Sequence, residues 1–179
     1  YLTGEVIGLD NKTVESFLLT ISVSPSKYGT SFTQCQKYFK NKLLEYGVYD
    51  ITIEVPDMPL IHKVIPILKA EDNVPFTFQV MSGFSASGIV IDTLGKPVEE
   101  VVIYRFLDLN QNIHSLSSRV SATNKDGYFK IDNCLVGETY CLKKEGFAPK
   151  PIKINEENKN ELLKISITNP IFKIKGTLL

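Results

Sequence analysis

Catalysis and metal binding need convergent side chains, and the residue types best suited to them are scarce here: two histidines, His62 and His114, and three cysteines, Cys35, Cys134 and Cys141. The histidines fall in different halves of the chain, and no GxSxG, HExxH or paired Cys/His spacing surrounds them, so no nucleophile, general base or zinc centre is read. His62 follows Pro59-Leu60-Ile61 in strand-like sequence, which gives it a surface or half-buried place. The cysteines are too few for a disulfide framework and lack CxxC spacing. Cys134 and Cys141 bracket LVGETY, a connection between adjacent strands. A bridge across it is one reading; two small, partly buried side chains are the other.

Three further groups invite chemistry. Asp108-Leu109-Asn110-Gln111-Asn112 alternates oxygen ligands as a calcium loop does, but it lacks the central Gly and distant bidentate Glu of an EF-hand. A polar hairpin tip between strands around Tyr104 and Leu116 is the favoured reading. Gly4, Gly88 and Gly176 belong to no glycine-rich loop preceding a helix, which excludes a phosphate cradle; they are expected to allow close backbone approach at domain joints. Asn11-Lys12-Thr13 is a glycosylation sequon in a turn, compatible with a secretory lumen.

Charge narrows the partners. Lys and Arg number 20 and Asp and Glu 20, a formal net charge of zero, so no general field draws nucleic acid or an anionic membrane. Lys143, Lys144, Lys150 and Lys153 are interleaved with Glu138 and Glu145 and read as a mixed solvated face. No run approaches eighteen apolar residues. The partners expected are other protein subunits or neighbouring repeats, without direct membrane contact from this chain, and with no cofactor or metal. The absence of Trp and of clustered loop aromatics argues against glycan stacking.

The elements that must position these residues are strands. Tyr49, Ile51, Ile53 and Val55 share one face against Asp50, Thr52 and Glu54, and the same alternation sets Phe76, Phe78 and Val80 against Thr77 and Gln79. Leu163, Ile165 and Ile167 repeat it against Lys164 and Ser166. Turn signals separate the runs at Asp10-Asn11, Leu94 to Pro97, Asn124 to Gly127 and Val136-Gly137. Gln36 to Glu45 has a helix-like spacing of Phe39, Leu43 and Leu44, yet Tyr38-Phe39-Lys40 falls where Tyr128-Phe129-Lys130 falls in the second half, so both are read as strands. Asn158 to Leu162 is the other helical turn considered. Val101 to Leu107 is apolar on both parities, which makes Tyr104 and Phe106 the candidate partner surface.

A repeat organises the whole. TGEV at Gly4, SGIV at Gly88 and KGTL at Gly176 recur 84 and 88 residues apart, the size of a small β-sandwich. The expected organisation is a divergent sandwich over 1–83, a second over 84–170 and the first strand of a third over 171–179. Short joints such as Met81 to Ser85 predict semi-rigid coupling and a longer parent array.

In the second unit GIVIDTLGKPV (Gly88 to Val98), TNKDGYFKIDN (Thr123 to Asn133), GETY (Gly137 to Tyr140) and EGF (Glu145 to Phe147) resemble the carboxypeptidase regulatory-like domain. The resemblance implies an all-β fold of two tandem seven-stranded transthyretin/Ig-like β-sandwiches, with Gly95-x-Pro97 and Asp126-Gly127 as turns and Phe129 and Tyr140 as core. The first unit keeps Gly4, Val6, Asp10, Phe39, Gly47 and Tyr49 but lacks both turn signatures. SGFSASGIV (Ser82 to Val90) is similar to the inter-repeat joints of the nodal modulator family, which would imply a non-catalytic scaffold in the lumen of the endoplasmic reticulum, associated with the translocon. The alternative is a glycan- or peptide-binding sandwich of a bacterial cell-surface or outer-membrane protein. An enzyme is not expected.

Overall fold

Alternating sequence of this kind buries one parity of each strand, and a sheet so built must cover its apolar face with another. The computed structural model, which describes residues 1–24, 31–42, 46–106 and 116–169, does this twice. The chain divides into two compact units between Gly83 and Phe84.

In the first unit β1 (Leu2–Ile7), β4 (Tyr38–Asn41) and β7 (Phe76–Gln79) form one sheet in the order β4-β1-β7. β2 (Phe17–Ser24), β3 (Ser31–Cys35), β5 (Gly47–Glu54) and β6 (Ile61–Ile67) form the other, ordered β3-β2-β5-β6. A single 3-10 turn, Ala70–Asp72, precedes β7. Both sheets feed one core: Leu2, Val6, Phe39 and Phe78 from the first meet Phe17, Leu19, Tyr49, Ile51, Ile53 and Ile67 from the second.

The second unit repeats the plan. β8 (Phe84–Ile91), β11 (Tyr128–Cys134) and β14 (Leu162–Ser166) are ordered β11-β8-β14. β9 (Val102–Phe106), β10 (Leu116–Ala122), β12 (Thr139–Lys143) and β13 (Lys150–Lys153) are ordered β10-β9-β12-β13. Ala86, Val90, Ile103, Phe129, Ile131, Tyr140, Leu142 and Ile165 close the core. The fold is all-β, and the register repeats as well as the order. Gly4 pairs with Phe39 and Phe76, and Gly88 pairs with Phe129 and Leu163.

That register corrects the role expected of the repeated glycine. A Cβ on Gly4 would stand 2.6 Å from the ring tip of Phe39, and one on Gly88 2.6 Å from that of Phe129. The close backbone approach expected of these glycines is present, since the Phe76 and Leu163 carbonyl oxygens also stand against such a Cβ, but it lies inside each sandwich, where the glycine seats a buried ring as well, and not at a domain joint.

The first unit builds the turn expected at Asp10-Asn11, and one at Lys37, without the Gly-x-Pro and Asp-Gly signatures of the second unit. Asn11 donates its amide to the Gly8 carbonyl at 3.1 Å as Gly95 does to Asp92 at 3.1 Å. Val14 bonds back to Val6 at 2.8 Å as Val98 does to Val90 at 3.0 Å. Asn11 stands at φ 59° where Gly95 stands at 78°, and Lys37, two residues before Phe39, stands at 56° where Gly127 stands at 71°. Asn tolerates the left-handed region because its short amide can bond locally, so the turn survives without glycine.

Tyr38 to Asn41 is the strand expected of it, in spite of the helix-like spacing around it. Asn158 to Leu162, considered as a helical turn, contains hydrogen-bonded turns and the start of β14, with no helix, and other expected features fall outside the described residues. The Asp108 to Asn112 loop, His114, and the Gly176 segment of a third repeat lie outside the described residues.

Candidate functional site

Two places in the second unit concentrate side chains that sandwich architecture alone does not require. The first is the outward face of the four-stranded sheet. Ile103 points inward, so Val102, Tyr104 and Phe106 point out, each half-buried. Register places Tyr104 beside Cys141, Phe106 beside Thr139, and Val102 beside Lys143. The Lys143 ammonium lies 5.9 Å from the Tyr104 ring centre, and Lys144 donates to the Glu99 carbonyl at 2.8 Å. Beside them Glu100, Glu145 and Gly146 complete an open hollow of about 630 Å³.

The first unit shows what the fold itself asks of that face. Its corresponding row runs Phe32, Thr20, Thr52 and His62 by register, next to Ser22, Asp50 and Val64, with the His62 Nε2 2.9 Å from the Asp50 carboxylate. The face is thus mixed in the first unit, whereas in the second Tyr104 and Phe106 follow one another on the outward parity of one strand. Tyr104 lies in an outward apolar strip bordered by Glu100, Lys143, Lys144 and Glu145.

The second place is buried. Arg105 shares its parity with Val101 and Ile103, so strand geometry drives a guanidinium into the core, where the residue is only 9% exposed. Its Nε lies 3.4 Å from the Glu138 carboxylate, its Nη2 donates to the Asn133 carbonyl at 3.2 Å, and its guanidinium lies 5.8 Å from the Tyr140 ring centre. Glu138 accepts from the Tyr140 hydroxyl at 2.5 Å and from the Leu135 amide at 3.0 Å. Since Arg105 belongs to the four-stranded sheet and Asn133 to the three-stranded one, the cluster ties the two sheets together. Glu138, expected on a mixed solvated face, points inward because it shares parity with Tyr140. A charge on the core parity of β9 was the available signal.

The environment suppresses reactivity at this cluster. Burial, helped by hydrogen bonds to Cys134 and Glu138 that favour the neutral phenol, pushes Tyr140 well above the ordinary tyrosine value, and burial raises Cys134 likewise. Neither presents an anion at neutral pH, which suits a tie and not a nucleophile. The sign for stability follows. An unfolded tyrosine ionises near pH ~10 while the folded one resists, so this contribution is intact below about pH 10 and is lost above it at about 1.4 kcal/mol per pH unit. Cys134 adds a loss of the same sign from about pH 8.5. Urea midpoints measured from about pH 8 to 11 should fall less steeply above pH 10 in Tyr140→Phe than in the parent. Parallel slopes would contradict this account.

The remaining expected residues are dispersed. The bridge considered between Cys134 and Cys141 is not formed: both thiols are free and buried, Cys134 in the core on β11 and Cys141 on the outward parity of β12 in the other sheet. Cys35 is buried in the first unit. Asn11 is exposed at its turn. Among the described residues no group of three His, Cys, Asp or Glu could hold a metal ion, and no helix is long and apolar enough to cross a membrane.

No protein-family model and no curated protein matches the chain. Among solved structures, a streptococcal ancillary pilin aligns over 95% of this chain at 12% identity and a TM-score of 0.41, and the chain spans 62% of that pilin's length. The shaft pilin spaA from Lactobacillus rhamnosus GG aligns over 99% of this chain and 98% of its own at 13% identity and 0.33. The Bacillus anthracis TIE protein aligns over 94% and 34% at 16% identity and 0.33. Likeness this distant leaves function to be argued from the residues.

Proposed function

We propose that this chain is a non-catalytic segment of a tandem β-sandwich array, serving as a spacer or scaffold outside the cytoplasm. On this reading the aromatic face of the second unit contacts a neighbouring repeat or another protein subunit. The supporting observation is the repetition itself: two consecutive units with the same strand order, the same Gly–Phe register and the same hairpin bonds, joined by the short segment between Gln79 and Phe84. Repeats that preserve the frame while varying one face keep the support constant and change what is displayed.

The face is tested by replacing Tyr104 and Phe106 with Ser and titrating the chain with the repeat units that flank it in the parent protein. Outward, half-buried side chains cost the fold little, so the urea midpoint should move by no more than about 1 kcal/mol in free energy. Loss of two aromatic anchors should weaken association by at least about 30-fold. Undiminished binding, or collapse of the unit, would remove this face from the proposal.

A further inference from the structure

The first and last strands of each unit are hydrogen-bonded neighbours running parallel. In the first unit Gly4, Glu5, Val6 and Ile7 face Phe76, Thr77, Phe78 and Gln79, and the Val80 amide closes on the Ile7 carbonyl at 2.8 Å. In the second unit Ser87, Gly88, Ile89, Val90 and Ile91 face Leu162, Leu163, Lys164, Ile165 and Ser166, and the Ile167 amide closes on Ile91 at 2.9 Å. Parallel order fixes where the chain enters and leaves. It enters at the pole where both strands begin and leaves at the pole where both end.

From this geometry we infer a further function: each unit is a shear clamp that resists tension applied along the chain, and the two clamps are graded, the first yielding before the second. Tension draws the opening strand out of one pole and the closing strand out of the other, so every bond of the parallel ladder is strained at once. Had the two strands been antiparallel, both chain ends would lie at one pole and the ladder would open one bond at a time. The ladder is backed by buried side chains, Val6, Phe78 and Val80 in one unit and Val90, Ile165 and Ile167 in the other, none more than 6% exposed. Sliding the strands would drag these across the opposite sheet. The grading comes from length: four registered pairs in the first unit and five in the second.

The inference rests on the proposed reading of the chain as a spacer segment of a tandem array, through which tension passes from one unit to the next. It is tested by single-molecule pulling of the full chain in two geometries. In one, handles are attached at the two termini. In the other, Ser82→Cys and Asn160→Cys, both exposed, carry the handles, so that β8 and β14 are pulled from the pole where both begin. Terminal pulling should give two rupture peaks, the weaker assigned by contour length to the first unit. The second unit should rupture at a force several-fold higher than in the same-pole geometry. Equal forces in the two geometries, or the second unit yielding first, would overturn the inference as stated. Such a result would leave the scaffold reading standing, whereas a catalytic turnover found in the folded chain would defeat that reading without altering the force comparison.

Discussion

Glu138→Ala is expected to cost the second unit about 3–5 kcal/mol, the range for breaking a buried ion pair from one side. The carboxylate stands 3.4 Å from the Arg105 guanidinium and accepts from both the Tyr140 hydroxyl and the Leu135 amide. Removing it takes a partner from three groups, two of them carried on the core parity of β9 and β12. A unit of this size has a total stability of only about 5–12 kcal/mol, so the loss is a large part of the whole. Glu138→Gln keeps one acceptor oxygen but places an amide donor against a cation, and should fall between. Arg105→Met combined with Glu138→Gln removes the buried charge altogether, and should recover much of what Glu138→Ala loses. Urea unfolding followed by tyrosine fluorescence reads all of these, since the chain has no tryptophan. A Glu138→Ala midpoint within about 1 kcal/mol of the parent would show that the cluster is not a tie.

What the sequence made legible, and what it did not, divides along a physical line. Strand parity was legible because it is a local property: Tyr49, Ile51 and Ile53 declare a buried face within five residues, and all three are buried. The repeat was legible because each unit carries the Gly and Phe of the same cross-strand pair. The Asp10-Asn11 turn was legible too, since asparagine tolerates the left-handed region; the turn at Lys37 was not, because lysine does not announce that backbone as Gly127 does. Neither was the buried cluster. Arg105, Asn133 and Glu138 come together only when β9, β11 and β12 take their places in two different sheets, and a charged residue in a strand reads as exposed until its parity is checked against its neighbours. The outward aromatic face is intermediate. Tyr104 and Phe106 could be assigned to the opposite parity from Ile103, but their neighbours Cys141 and Thr139 on β12 come only from the register of the sheet.

Gly88→Ala should destabilise the second unit by about 3 kcal/mol, at the upper end of what one inserted methyl group costs a packed core. The added Cβ would stand 2.6 Å from the Phe129 ring tip and 2.7 Å from the Leu163 carbonyl oxygen. Neither neighbour yields easily. Phe129 is 1% exposed and packed among core residues, and the carbonyl belongs to β14, so relieving that contact parts β14 from β8. For a domain of this size the loss corresponds to a melting temperature lower by roughly 15 °C. Gly4→Ala meets Phe39 and the Phe76 carbonyl in the same way, and should act on the first unit. The cause can be separated from a general intolerance of β8 by a double-mutant cycle. Phe129→Leu shortens the side chain and leaves a void, which is destabilising alone, but beside Gly88→Ala that void receives the new methyl group. The two changes together should therefore cost less than the sum of each alone, while Gly88→Ala paired with a distant change such as Tyr104→Ser should add. Strict additivity of Gly88→Ala with Phe129→Leu would mean that the strand's backbone contact with β14, and not the seat for the ring, is what requires glycine at this position of the repeat.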